Sequence, residues 1–389
     1  MTQTTVKAPV CGDSEVIELI EMRDLPVHCN VLWPTREEAL NAPRGTIRLG
    51  YFPTCGHTYN LDFDPALMEY TQEYENSLHF SAVFQQYAEN LAAGLVERYD
   101  LHDKDIVEIG AGKGDFLIML SRLGDNRGWG YDPSYVPEEG YVAEGVTFVQ
   151  DFYTEKYIDQ QADLIVCRHV LEHIEDPDAF IAQVRRAVGD RPDTVVFFEV
   201  PNSLWTLRQM GIWDVIYEHC SYFSPVSLAH LFEQNGFRVL ALNEVFGGQF
   251  LAIEAVPADD EFTADSQWQA GLDQITADAT AFAENYRVKF GEWQDRLAEL
   301  SAAGKRGVVW GAGSKGVTFL NVVAPGSVIE YIVDINSCKQ GSLSPEQGRL
   351  TLEFLSDYQP DWFIMNNNHR DEIGTMLAEQ GVEAEILTA

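Results

Sequence analysis

Basic residues are scarce in this sequence: 26 Lys and Arg stand against 61 Asp and Glu, a formal charge of −35 over 389 residues. Such a charge repels phosphate backbones and anionic membrane surfaces, so neither nucleic acid nor a membrane is an expected partner. Any phosphate-bearing ligand has to be held by backbone amides or by a few placed cations. Long apolar runs are missing as well. No stretch approaches the roughly 20 residues needed to cross a bilayer, and the opening segment MTQTTVKAPVCGDSE lacks the apolar core of a secretory signal. The six cysteines, Cys11, Cys29, Cys55, Cys167, Cys220 and Cys338, are too dispersed for a disulfide framework. The expectation is a cytoplasmic protein with free thiols. No repeat of fixed period and no low-complexity run is present.

What is present is an ordinary globular balance, 46% hydrophobic and 22% charged, in a chain long enough for two or three domains of roughly 100 to 200 residues. Residues 1–63 show little periodicity and contain three of the cysteines with His28 and His57, which reads as a small irregular module. From 64 to 256 a helical stretch leads into segments such as DIVEI, VTFVQ, DLIVC and TVVFFEV alternating with helix-like stretches, the pattern of a parallel α/β sheet. After the acidic PADDEFTAD, apolar residues from Trp268 to Leu300 recur every three or four positions, which predicts a long amphipathic helix over 257–304, acting as scaffold or as the seam of a homodimer. Residues 305–389 open a second α/β unit with RGVVWGAGSKG.

The strongest local signal is the strand ending at Glu108 and running into Gly110, Gly112 and Gly114 before a helical DFLIMLSRL. Glycines there let a ligand approach the backbone. Asp132 follows at the end of the next strand, where a carboxylate can accept hydrogen bonds from both hydroxyls of a ribose. Asp151 ends a further strand within reach of an adenine amino group. Two sequence features carry basic chemistry. His169 and His173 are four apart on what reads as a helical stretch, a spacing that suits capping or packing better than metal ligation. Glu218 and His219 lie in a loop after the fifth strand, and a histidine with an ordinary pKa near 6.5 suits proton abstraction beside a ketone. Adjacent side chains on an extended segment point to opposite sides, so the pair need not share a target.

The E-x-G-x-G-x-G turn, Asp132, the Asp-Phe pair at Asp151 and the L-E-H-x-x-D-P run from Leu171 to Pro177 together resemble class I S-adenosylmethionine-dependent methyltransferases. The resemblance implies a Rossmann-like core in which Glu108, Gly110, Gly112 and Gly114 cradle the methionine part of S-adenosylmethionine, Asp132 holds the ribose and Asp151 lies near the adenine. The three-part layout with Ile216-Tyr-Glu-His-Cys-Ser-Tyr-Phe-Ser224 is similar to the C-methyltransferases of deoxysugar biosynthesis, which act on nucleotide-diphosphate 4-keto sugars. That likeness implies His219 as the base, Glu218, Tyr74 and Tyr222 as further catalytic candidates, and a Rossmann-like C-terminal domain that holds the nucleotide part of the substrate near Lys315. In the segment Tyr74-Glu-Asn76-Ser77 the family's second tyrosine is replaced by Asn76.

The same family carries a zinc site of two C-x-x-C knuckles in its N-terminal module. Here the segments read Ala8-Pro-Val-Cys11 and Phe52-Pro-Thr-Cys55, each keeping only its second cysteine. Two readings stay open: a rearranged zinc site completed by Cys29, His28 and His57, or a module that packs without metal. The C-terminal Gly311-Ala-Gly313-Ser-Lys315-Gly316 with Asp334 is a complete dinucleotide fingerprint. Residues 307–389 span only about half of a full dinucleotide fold. A nicotinamide-dependent oxidoreductase, a non-catalytic nucleotide-sugar-binding protein, and methylation of oxygen or nitrogen are the alternatives to carbon methylation.

Overall fold

The computed structural model describes residues 6–31, 33, 35–68, 81–136, 144–259, 271–323, 329–336, 348–350, 352–365 and 370–389. Tyr74, Asn76, Ser77, Trp268 and Cys338 lie outside them.

The first sixty residues build an antiparallel sheet from β1 (Ile17–Pro26), β2 (Arg44–Phe52) and β3 (His57–Asn60). Register shifts between Glu18 and Ile20 and between Met22 and Leu25 break the period-two alternation of β1, which is why its pattern is not legible in the sequence. A short helix α1 (Arg36–Leu40) links β1 to β2, with Thr35 and Glu38 closing a capping box.

The long helix α2 (Ala82–Tyr99) leads into the central sheet. Its strands are β4 (Asp105–Ile109), β5 (Arg127–Tyr131), β6 (Val146–Val149), β7 (Leu164–Arg168) and β8 (Val195–Pro201), all parallel. The crossovers between them carry α3 (Asp115–Gly124) and α4 (Pro177–Val188), and α5 (Ser203–Arg208) follows β8. The next strand, β9 (Ser221–Tyr222), leaves this sheet and pairs with β3 of the N-terminal module. After α6 (Pro225–Gln234) the chain returns as β10 (Phe237–Val245) and β11 (Phe250–Pro257), antiparallel to each other, and β11 runs antiparallel to β8. The order β10-β11-β8-β7-β4-β5-β6 reverses beside β4. A ligand crevice is expected at the carboxyl ends of the strands there.

Helix α7 (Leu272–Ala302) buries Ile275, Ala279, Phe282, Leu297 and Leu300. These join one apolar cluster with Leu19, Met22 and Tyr51 of the N-terminal sheet and with Phe319, Ile332 and Trp362 of the C-terminal domain. The stripe seen in the sequence is therefore used within the chain. The C-terminal sheet comprises β12 (Gly307–Trp310), β13 (Ile329–Val333), β14 (Gly348–Leu350), β15 (Trp362–Met365) and β16 (Glu385–Thr388), all parallel in the order β14-β13-β12-β15-β16. Helices α8 (Ser314–Val322), α9 (Leu352–Tyr358) and α10 (Arg370–Glu379) connect them.

Candidate active site

At the end of β4, Gly110, Gly112 and Gly114 all take positive φ, at 73°, 53° and 89°. A Cβ on Gly110 would stand 2.1 Å from Val170, whereas one on Gly112 would meet nothing within 4 Å, so the turn is closed at Gly110 against the segment that follows β7 and open at Gly112. The Gly112 amide donates to Asp132 Oδ2 at 2.8 Å, and the amide and hydroxyl of Ser134 donate to Oδ1 at 2.8 and 2.6 Å. Asp132 thus fastens the turn; with two bonds on Oδ1 and one on Oδ2, a lone pair of Oδ2 stays open to a further donor such as a ribose hydroxyl. Glu108 is buried behind the turn, and desolvation pushes its carboxyl up to about 8 against the counteracting Arg168. Its Oε2 has no hydrogen-bond partner among the described residues. Asp151 accepts from the Tyr157 hydroxyl at 2.6 Å and from Lys156 at 3.1 Å, contacts that hold its pKa down. An open glycine cradle backed by carboxylates at two strand ends fits an adenosyl amino acid.

The segment after β7 joins this turn to a cavity of about 670 Å³. His169 sits at φ 56°, and Leu171–His173 form a single 3₁₀ turn before α4 starts at Pro177. The helical stretch expected for His169 and His173 is therefore absent, because the chain leaves the strand through a left-handed residue and starts its helix only at the Asp176 cap and Pro177. His169 stands 2.8 Å from Glu199 and 3.8 Å from Glu172. Burial alone would lower the His169 pKa, but the two carboxylates prevail and raise it to about 9. Glu199 also accepts from Arg168 at 2.9 Å and from the Tyr87 hydroxyl of α2. Desolvation opposes its ionisation, yet Arg168 and His169 hold it down at about 2.

His169, Glu172, His173 and His219 all line the cavity. The rings of His173 and His219 meet edge to face at 4.9 Å, and ligand atoms of Glu172, His173 and His219 lie within 4.8 Å of one another. Burial, reinforced by the positive charge that His173 would carry, lowers His219 to about 3, and Glu172 works against that shift. His219 is therefore neutral at physiological pH, but a pKa this far below the ordinary 6.5 expected from the sequence makes the resting ring a weak base, and the ionised Glu172 beside it is the group that would steady an imidazolium. Glu172 was read from the sequence only as part of a family motif, and His173 as a capping or packing residue; the structure places both beside His219. The signal that could have found them is the L-E-H run opening a βα connection.

Glu218 faces the other way. Its carboxylate is fully buried 3.8 Å from His28, while its backbone carbonyl meets His173 Nδ1 at 2.9 Å. The Tyr222 hydroxyl accepts from the Ile216 amide at 3.1 Å and donates to the Ile216 carbonyl at 3.0 Å, which closes the loop on itself, and burial raises its pKa. The N-terminal module holds the outer side of this loop. Residues of β3 pair with Ser221 and Tyr222, the Asn60 amide reaches the Cys220 carbonyl at 2.9 Å, and the Asp64 amide donates to the Tyr217 hydroxyl at 2.9 Å. Tyr74 lies outside the described residues.

Across the cavity stands the second glycine turn, with Gly311, Gly313, Ser314, Lys315 and Gly316 in its lining. Its geometry repeats the first: the Ala312 amide donates to Asp334 Oδ2 at 2.6 Å and the Asn336 amide to Oδ1 at 2.8 Å. Lys315 reaches over to Asp214 at 2.9 Å and to Gln249 at 3.2 Å, and lies 4.9 Å from the Trp205 ring centre. Lys289 of α7 also lines the cavity, its pKa lowered by desolvation. In the N-terminal module Ala8 and Phe52 are buried where metal ligands would stand. Among the described residues no group of three Cys, His, Asp or Glu ligand atoms forms there. No helix among them is long and apolar enough to cross a membrane.

Comparison with known proteins bears on both halves. Residues 81–242 match the model of a methyltransferase domain, and residues 262–384 match that of the C-methyltransferase C-terminal domain. The C-methyltransferase NovU of Streptomyces niveus is 27% identical over 305 residues, covering 72% of this chain and 70% of that protein. A tRNA U34 carboxymethyltransferase of Dichelobacter nodosus is 27% identical over 154 residues, 38% of this chain and 49% of its own. Among solved structures, a 1,6-didemethyltoxoflavin-N1-methyltransferase of Burkholderia thailandensis aligns over 46% of this chain and 82% of its own, with 17% identity and a TM-score of 0.35. These matches replace the nicotinamide-dependent oxidoreductase and non-catalytic readings of the chain with that of a methyltransferase. The two matched domains follow one another along the sequence, and the chain is an S-adenosylmethionine-dependent methyltransferase similar over most of its length to a C-methyltransferase.

Proposed function

We propose that the chain methylates a carbon next to the ketone of a nucleotide-diphosphate 4-keto sugar. The observation that carries this reading is the single cavity that runs from His219 in the central domain to the Gly311–Gly316 turn of the C-terminal domain. Its size falls in the range of about 300–1,000 Å³ usual for small-molecule sites. Two cationic side chains, Lys289 and Lys315, reach it in an otherwise acidic protein, which suits a diphosphate held at a few placed charges. In this reading Lys315 exchanges Asp214 for phosphate, and the amides at Gly313 and Ser314, opening α8, face the same group.

S-adenosylmethionine supplies an electrophilic methyl group when bound at the Gly110–Gly114 turn. A carbon beside a ketone is not nucleophilic until it loses a proton, and His219 takes that proton. Glu172 steadies the imidazolium that results, and His173, anchored on the Glu218 carbonyl, fixes the ring beside it. The enolate carbon then displaces the methyl group from sulfur, and the protein contributes chiefly by holding both centres at one end of β7 while water is excluded.

The test compares turnover on nucleotide-linked 4-keto sugars with turnover on the same sugars lacking the nucleotide. The expected kcat/KM is at least about 100-fold higher for the linked forms, equivalent to about 2.7 kcal/mol of binding to the C-terminal turn. Equal values, or turnover confined to acceptors that are not sugars, would overturn the proposal.

A further inference from the structure

Cys11 and Cys55 are far apart in sequence and adjacent in space. A tight turn, with Gly12 bonded to Ala8 at 2.8 Å and Ala8 to Asp13 at 2.7 Å, lays Cys11 on the β2–β3 connection that carries Cys55. The two Sγ atoms are 2.7 Å apart, against the roughly 2.05 Å of a formed sulfur–sulfur bond. Among the described residues no third Cys, His, Asp or Glu ligand atom joins them into a metal group. The neighbouring Ala8 and Phe52 are apolar and buried, and the His57 ring packs on Phe223 at 5.0 Å. Cys11 is partly exposed and Cys55 buried, so a reagent from solvent meets Cys11 first.

We propose that Cys11 and Cys55 form a thiol–disulfide exchange site that reacts with low-molecular-weight disulfides and closes into an intramolecular disulfide. The Cys11 thiolate attacks one sulfur of the external disulfide, forms a mixed disulfide and expels one thiolate, which takes up a proton. Cys55 then loses its proton to solvent and attacks the Cys11 sulfur, expelling the second thiol. Two protein thiols are oxidised and one external disulfide is reduced to two thiols. Cys11, the partly exposed partner, is the one a dissolved disulfide can reach, and Cys55 stands 2.7 Å behind it, placed to resolve the mixed disulfide.

Closure would tie the N-terminal segment to the hairpin whose β3 strand pairs with β9. Cys220, which follows His219, lies in the same buried cluster as Cys55. The bond would therefore act as a covalent staple where related modules use metal.

The test treats the reduced full-length protein with glutathione disulfide, alkylates remaining thiols under denaturing conditions and maps the peptides by mass. The expected result is a cross-link between the peptides of Cys11 and Cys55, with free thiols falling from six to four. Cys55→Ser should stop at a glutathione adduct on Cys11, and Cys11→Ser should leave Cys55 unmodified. Alkylation of both residues in the treated wild type, or a lasting adduct on Cys11 beside an alkylated Cys55, would overturn the proposal.

Discussion

His219 owes its neutrality to burial, and Glu172 owes its charge to the histidines around it. In the proposed mechanism the pair divides the work of a base: one residue accepts the proton and the other stabilises the resulting cation. Replacing His219 by Asn should therefore lower turnover by about 10² to 10⁴, the usual share of a positioned general base, while the dissociation constant for S-adenosylmethionine stays within twofold. Steady-state kinetics and calorimetry on one preparation separate the two, and a parallel loss of cofactor affinity would place His219 elsewhere in the scheme. Asp132→Ala should behave in the opposite way. It removes the acceptor of the Gly112 amide as well as the proposed ribose contact, and should weaken the cofactor by about 2–4 kcal/mol, read by calorimetry. The glycine turn and Asp132 were legible because their spacing is local, a strand, a turn and the end of the next strand. The Glu172–His173–His219 grouping was not, since it depends on a loop 45 residues further on folding back onto a 3₁₀ turn.

The loop from Ile216 to Phe223 is held inside by the Tyr222 hydroxyl and the His219 amide, both on Ile216, and outside by the N-terminal module. Gly45 of β2 illustrates the tightness: a Cβ there would stand 2.3 Å from the Tyr217 ring. Gly45→Ala should cost about 1–3 kcal/mol of stability through overpacking and should reduce kcat more than cofactor affinity, since it pushes on the residue before Glu218. Unchanged kcat in a folded variant would mean that the N-terminal sheet does not position the loop. The β3–β9 pairing itself could not have been read from the sequence. Ser221 and Tyr222 form a strand of only two residues, and what makes it a strand is a partner more than 150 residues away. By contrast DIVEI, VTFVQ and DLIVC were recognisable, since apolar strands between helices carry their own signal.

Across the whole molecule the buried ionisable groups set how stability varies with pH. Between pH 4.5 and 6.5, unfolding lets His57 and His219, both about 3 in the fold, take up protons that burial denies them, while Glu108, about 8 in the fold, gives one up. The net uptake of about one proton makes stability rise by about 1.4 kcal/mol per pH unit. From 6.5 to 8 the contribution of the two histidines fades. Glu108 and His169, the latter about 9 in the fold, release protons on unfolding while Cys11 in the reduced protein takes nearly one up, a net release of about half a proton, so stability falls at a shallower slope of about 0.7 kcal/mol per pH unit. Urea midpoints of the reduced protein measured from pH 5 to 8 should peak near 6.5, and a steady rise or fall across that range would count against the buried states of these groups. The three sheets also meet around one cavity, and it is there that the account is most directly exposed. The decisive measurement follows a ¹³C-labelled methyl group from S-adenosylmethionine into a nucleotide-diphosphate 4-keto sugar and reads its position by NMR. The account predicts label bonded to the ring carbon beside the ketone; label on oxygen or nitrogen, or retained on sulfur after incubation with every such sugar, would contradict it.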